Sequence, residues 1–266
     1  MKIPLRGLVL SGAALLALGL SGRPEFQPSL NEHLVMAVVW HQTSAEMRAM
    51  SYQTFQFARM IIDQYEEKNP TRSRGRAVVV DIDETVLDNS PHSARMILEN
   101  KSFPYAWLDW VNRAAAEALP GSVEFLQYAV SRGYDVFYVS NREMADEYAG
   151  SERNLRRRGF PQADSAHILL KTTESGKETR RTMIAETHDI VLLIGDNLND
   201  HAAVFERKSV KDRMGETDRL RNEFGTRFLV LPNSMYGEWE GAIYGYQWRA
   251  SAEQKDRMRK SALRSF

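Results

Sequence analysis

Five short apolar runs punctuate the chain: Val78–Val80, Val136–Val139, His167–Leu170, Ile190–Ile194 and Phe228–Leu231. Each is continuous and rich in β-branched, leucine or aromatic residues, the pattern of parallel strands buried on both faces. Between them the apolar positions recur at helical spacing. Thr43–Asn69 contains neither proline nor glycine, has Thr43 or Ser44 available as an N-cap, and stops at Asn69-Pro70. It predicts one long helix packed through Met47, Met50, Phe55, Ala58 and Ile62. Further helices are expected over Ser122–Arg132, Ser151–Arg158, Glu174–Glu186 and His201–Phe224. Alternating strands and helices predict an α/β fold with a doubly wound parallel sheet. Residues 90–119 break the alternation. With Phe103, Tyr105, Trp107 and Trp110, they read as a small cap inserted over the strand ends.

The 266 residues suffice for one sizeable core. Equal numbers of basic and acidic residues, 35 of each, argue against a nucleic-acid-coating surface. Arg156-Arg157-Arg158, at the last turn of an expected helix, reads as compensation of the helix dipole. With no cysteine, disulfides and thiolate metal sites are excluded. Lys2 and Arg6 precede an apolar run from Leu8 to Leu20, which has the pattern of a secretory signal and is too short to span a bilayer comfortably. Export is expected, to a periplasmic or cell-envelope location. Residues 1–22 would act as the signal, cleaved near Ser21 or Gly22 or kept as the sole membrane contact. Arg23 stands where a lipoprotein would carry its acylated cysteine.

The candidate chemistry lies at the carboxyl ends of the runs, where ligands bind in such sheets. The first run delivers Asp81 and Asp83, whose period-two spacing places both carboxylates on one side of an extended chain. Two close carboxylates require a proton, a divalent cation or nearby basic groups. The second run ends in Ser140-Asn141-Arg142, the third in Lys171 with Lys177 beyond it, and the fourth in Gly195-Asp196-Asn197-Leu198-Asn199-Asp200. Asp196 and Asp200, four apart, can face one ion across a helical turn. The carboxylates suit a hard, oxygen-liganded cation, and the basic side chains suit phosphate. The six histidines show no metal-ligand spacing.

Asp81-Ile82-Asp83-Glu84-Thr85, Asn89-Ser90-Pro91, Val139-Ser140-Asn141-Arg142, Gly195–Asp200, Leu231-Pro232-Asn233 and Tyr236–Gly241 together carry a resemblance. The sequence resembles the haloacid-dehalogenase-like (HAD-like) phosphohydrolases. Within them it is similar to the class C, DDDD-type bacterial acid phosphatases, which include outer-membrane lipoprotein 5'-nucleotidases. The likeness runs from about residue 33 to 246. It implies a HAD-like core over 77–89 and 120–233, preceded by a helical segment over 23–76. It also implies a cap over 90–119 and a carboxyl-terminal segment, 234–266, closing the substrate site.

The resemblance further implies Asp81 as nucleophile and Asp83 as general acid and base. Mg²⁺ would be held by Asp81, the Asp83 backbone carbonyl, Asp196 and Asp200. Phosphate would be bound by Ser140, Asn141, Arg142 and a lysine. Lys177 matches that lysine better than Lys171, because it opens a helix whose amino terminus reinforces an anion site. Trp107 and Tyr236 are the candidate rings for a nucleotide base, with Phe103 and Trp110 behind them. The implied partner is a small phosphomonoester, with no nucleic-acid polymer and with homodimerisation open. An acidic pH optimum follows if Asp83 must start protonated. A phosphotransferase, or a nucleotide- or haem-binding surface protein with little turnover, stays open beside hydrolysis.

Overall fold

The computed structural model describes residues 30–71 and 73–266; the expected signal segment lies outside them. Among the described residues, no helix is long and apolar enough to cross a membrane. The described part of the chain begins with a 3-10 turn (Glu32–Leu34) and helix α1 (Val35–Thr43), and turns at Ser44 into the long helix α2 (Ala45–Lys68). The Ser44 hydroxyl caps α2 by accepting from the Met47 amide at 3.0 Å. Five parallel strands follow: β1 (Gly75–Val80), β4 (Asp135–Glu143), β5 (Ile168–Lys171), β6 (His188–Gly195) and β7 (Phe228–Val230). Their order across the sheet is β5-β4-β1-β6-β7, so the winding reverses beside β1.

The continuous apolar runs are explained by cover on both faces. Val78 and Val80 of β1 join Phe55, Ala58 and Ile62 of α2 in one core, together with Phe125 and Leu126 of α5 (Ser122–Ser131) and Leu155 of α6 (Met144–Arg157). The alternate residues Ala77 and Val79 point the other way, against Ile184 of α7 (Glu178–Thr187) and Phe228. Neither face of β1 reaches water, so polarity enters only where the strand ends.

Between β1 and α5 the chain builds a small lobe. A two-residue antiparallel ladder of β2 (Leu87–Asp88) and β3 (Glu117–Ala118) closes its base, and α3 (Ser90–Leu98) and α4 (Trp107–Arg113) form its body. The lobe is tied to α6. The Asn154 side chain makes both hydrogen bonds to the Ala116 backbone, and Arg158 donates to the carbonyls of Ala115 and Ala116. Two members of the arginine triplet are thus structural ties: Arg156 donates to the Ala163 carbonyl and Arg158 to the lobe.

Three boundaries differ from those expected. Helix α6 begins at Met144 rather than Ser151, because β4 runs directly into it and the Glu147 carboxylate accepts from the Glu143 amide. Helix α7 begins at Glu178, with Lys177 at its N-cap. His201–Phe224 is not one helix. It follows a 3-10 turn at Leu198–Asp200 and breaks into a second at Ala203–Phe205, a left-handed Arg207, and α8 (Val210–Arg219) capped by Ser209. Helices α9 (Glu238–Ile243) and α10 (Ala252–Ser261) complete the chain.

The lobe's seat on α6 has no spare room at Gly150, where a Cβ would lie 2.6 Å from the Val111 carbonyl oxygen. Gly150→Ala is expected to lose about 1–3 kcal/mol in urea unfolding. Gly215→Ala, in the open interior of α8 with nothing within 4 Å, should gain about 0.5–1 kcal/mol.

Candidate active site

Two polar centres stand side by side at the carboxyl end of β1. Directly after the strand, the Asp81 amide still donates to the Ile194 carbonyl at 2.9 Å, which fixes Asp81 between β1 and β6. Glu84 then adopts φ +55, and the amides of Val86 and Leu87 both turn back to the Ile82 carbonyl. Asp81 meets Lys177, Asp196 and Asp200 beside β6, while Asp83 meets Ser140 and Arg142 at the end of β4.

The first centre comprises Asp81, Asp196 and Asp200, each offering a carboxylate oxygen, with these atoms all within 4.8 Å of one another. Gly195 ends β6 without a side chain because a Cβ there would meet Asp200 at 2.4 Å. The next residues form a 3-10 turn in which the Asn197 amide donates to Asp200 at 3.0 Å, and Arg181 donates to the Asp200 carbonyl at 2.8 Å. Thr85 and Asn233 hold the remaining oxygens. The Thr85 hydroxyl lies 3.3 Å from Asp81 and 3.4 Å from Asp196, and the Asn233 amide donates to Asp196 at 2.7 Å. The buried Lys177 ammonium pairs with both Asp81 and Asp200. Lys171 is elsewhere, paired with Glu143 at 2.5 Å.

One ammonium does not balance three carboxylates out of water. Burial, reinforced by Asp200 and Asp83, pushes the Asp81 carboxyl up to about 7. Burial, then Asp200 and Asp81, carries Asp196 well above the ordinary carboxylate range. Burial works against the Lys177 charge, but Asp200 and Asp81 outweigh it and hold its pKa high. An all-oxygen donor set with excess buried negative charge fits a hard divalent cation.

The second centre surrounds Asp83. Its Oδ1 accepts from Arg142 at 2.7 and 3.0 Å and from the Asn89 amide at 2.8 Å, while its Oδ2 faces the Ser140 hydroxyl at 3.2 Å. Arg142 is thereby committed. It also donates to Ser151 at 2.9 Å and lies 3.4 Å from the Asn89 oxygen, so four of its five N–H groups are engaged. Its guanidinium, expected at phosphate, clamps Asp83 here. Asn141 is exposed and its side-chain oxygen accepts from Arg180 at 2.7 Å.

The two expected aromatic residues stand on different walls. Trp107, on α4, has the Arg142 guanidinium over its ring at 5.4 Å and the His92 edge at 5.1 Å. The Arg142 guanidinium thus lies against one face of Trp107, the candidate ring for a base. Tyr236, 38% exposed, follows β7 three residues after Asn233. The indole N–H of Trp110 is directed inward, donating to the Asn89 side-chain oxygen at 2.8 Å.

Arg180 and Arg181 were not anticipated. They lie three and four residues after Lys177, on the same helical face, and that spacing was the available signal. Arg180 donates to the Ser140 carbonyl at 2.5 Å and so fixes the end of β4. His201 is buried with its ring nitrogens 2.9 and 3.2 Å from the Leu229 and Asn197 carbonyls.

The family model for HAD superfamily, subfamily IIIB (acid phosphatase) matches residues 25–239. The structure is similar to a class C acid phosphatase from Bacillus anthracis, with a TM-score of 0.86 and 45% identity over 89% of this chain and 99% of that one. The same class C acid phosphatase with tungstate bound gives a TM-score of 0.85 and 44% identity, again over 89% and 99%. Among curated proteins, a stem 31 kDa glycoprotein of Glycine max is 28% identical over 58% of this chain and 57% of its own length. Acid phosphatase 1 of Solanum lycopersicum is 27% identical over 61% and 59%. The chain thus spans little more than half the length of these curated relatives.

The charge imbalance gives a stability prediction. Between the ordinary carboxylate pKa of 3.8 and about 7, the folded chain keeps a proton on Asp81 that the unfolded chain has lost. Asp81 therefore destabilises the fold increasingly as pH rises through that window. In chelator, Asp81→Asn should melt with wild type at pH 4 and above it at pH 8, by at most on the order of 4 kcal/mol. Added Mg²⁺ should narrow the gap. A gap independent of pH would contradict the assignment.

Proposed function

The chain belongs to the acid phosphatases of HAD superfamily subfamily IIIB, and from that premise we propose that it is an exported, Mg²⁺-dependent hydrolase of phosphomonoesters, nucleoside 5'-monophosphates foremost. The observation that carries this reading is the division of labour at the end of β1. Asp81 lies among Asp196, Asp200 and Lys177, while Asp83, two residues on, is held separately by Ser140, Asn89 and Arg142. Two carboxylates in different surroundings can take different chemical roles.

In this reading an Asp81 oxygen attacks phosphorus as the ester P–O bond breaks, and the leaving alkoxide takes a proton from Asp83. Asp83, now a carboxylate, removes a proton from water; the water oxygen attacks phosphorus and the aspartyl P–O bond breaks, freeing phosphate and Asp81. Oδ1 of Asp83 accepts three short hydrogen bonds and Oδ2 only two longer ones, at 3.2 and 3.3 Å, so in this reading Oδ2 carries the mobile proton. Ser140, the Asn141 amide and Lys177 would bind phosphate oxygens, with Lys177 also holding Asp81 in place for attack. Asp81, Asp196 and the Asp83 carbonyl would hold Mg²⁺, with Asp200 fixing its waters. Once bound, the ion would offset the repulsion between nucleophile and phosphate.

The tungstate complex of the Bacillus anthracis relative supports a tetrahedral-oxyanion site. For the nucleotide base, Tyr236 is the better-presented ring, because Arg142 covers one face of Trp107. The basic-then-apolar stretch up to Leu20 supports export.

A phosphate-release assay tests the mechanism. Asp81→Asn should lose more than about a thousandfold in kcat, and chelation should abolish release until Mg²⁺ is restored. Metal-independent release, or full activity of Asp81→Asn, would overturn it. Tyr236→Ala should lower kcat/KM for nucleoside monophosphates relative to glycerol phosphate by about five- to a hundredfold, the value of one base–aromatic stack. An unchanged ratio would remove Tyr236 from the base site.

A further inference from the structure

Asn89 joins the inserted lobe to Asp83. Its backbone amide donates to the buried Glu84 carboxyl at 2.7 Å, and its side-chain NH₂ donates to Asp83 Oδ1 at 2.8 Å. Its side-chain oxygen accepts from the Trp110 indole at 2.8 Å, with Arg142 at 3.4 Å. Asn89 and Ser90 are buried, and α3 starts at Ser90, so the side chain has little freedom to leave this arrangement.

A carboxamide can be seated in two orientations, oxygen and nitrogen exchanged, and its partners decide between them. An indole N–H only donates, so the side of Asn89 facing Trp110 must be oxygen. The NH₂ is then directed at Asp83, where it supplies one of the three short donors on Oδ1. Reversing the amide would set its oxygen against the Asp83 oxygen and its NH₂ against the indole N–H, with both contacts repulsive while Asp83 is ionised. With Arg142, the Trp110–Asn89 bond thus sets the asymmetry of Asp83: Oδ1 accepts the three short bonds and Oδ2 only longer ones, from Ser140 at 3.2 Å and Arg142 at 3.3 Å.

We infer that Trp110 is a positioning residue for the phosphatase reaction: through Asn89 it orients Asp83 so that Oδ2 delivers the proton to the leaving group. The inference rests on the assignment of Asp83 as general acid under Proposed function. It also gives the lobe a role in catalysis besides lining the substrate site, which explains why the lobe is fastened to α6 by Asn154 and Arg158. A lobe that swung freely would carry Trp110 away from Asn89.

Leaving-group dependence separates this role from packing. An ester with a good leaving group, p-nitrophenyl phosphate, needs little help from an acid, whereas an alkyl ester, glycerol phosphate, needs it fully. Trp110→Phe keeps an aromatic ring on α4 and removes the donor, and Asn89→Ala removes the joint. Each should lower kcat/KM, which reports only the steps up to the shared aspartyl-phosphate, about tenfold or more for glycerol phosphate, with a loss under about threefold for p-nitrophenyl phosphate. Asp83→Asn, as the reference, should show the same split at about a hundredfold or more. Thermal melts of Trp110→Phe should confirm a folded chain. Equal losses on both esters in Trp110→Phe and Asn89→Ala, with the split intact in Asp83→Asn, would overturn the inference alone. Absence of the split in Asp83→Asn would overturn the general-acid assignment and this inference with it.

Discussion

The concentration of negative charge at the end of a fully buried strand is the constraint to which the rest of the site responds. β1 has no exposed face, so the residues that follow it emerge into a space bounded by the ends of β4 and β6. Three carboxylates share that space with one ammonium, and burial drives Asp81 and Asp196 towards their protonated forms. Each surrounding hydrogen bond reduces that penalty or directs it. Thr85 and Asn233 donate to the carboxylates, Arg181 anchors the turn that carries Asp200, and Lys177 sits between Asp81 and Asp200. Such a site is poorly balanced without a divalent cation.

A second consequence is the separation of Asp81 from Asp83. Asp83 is held by Ser140 and Arg142 of β4 and by Asn89 at the base of the lobe. Asp83 is met by a guanidinium, a hydroxyl and a carboxamide, groups suited to holding one carboxyl in a defined orientation. The lobe is accordingly part of the architecture of the site, fixed through Asn154, Arg158 and the close approach at Gly150.

Much of this was legible from the chain alone. The five strands follow from continuous apolar runs, because burial on both faces leaves no polar alternation to obscure them. The long helix follows from its cap at Ser44 and its stop at Asn69-Pro70. Boundaries were less legible where one element runs into the next without a turn residue, as at Glu143-Met144. The stretch from His201 to Phe224 has polar, helix-compatible composition, yet its path is set by Arg213, which donates to the Phe205 carbonyl at 2.6 Å, and by the left-handed Arg207. Propensity does not register such contacts.

For the site, sequence determined which acidic and basic residues lie at strand ends, since strand direction and the position of the winding reversal place them on one edge of the sheet. Between Lys171 and Lys177, it favoured the one that the fold buries against Asp81 and Asp200. Only the tertiary structure decided how the side chains pair. Period-two spacing put Asp81 and Asp83 on one side of the chain, and packing gave them different partners, Lys177 for one and Arg142 for the other. Arg142, next to Ser140-Asn141, suited phosphate by charge, yet it is engaged by Asp83; Trp107 suited stacking by type, yet a guanidinium covers one face of it. These outcomes depend on partners 20 to 60 residues away in the chain, at distances where local pattern carries no information and only packing settles which donor meets which acceptor.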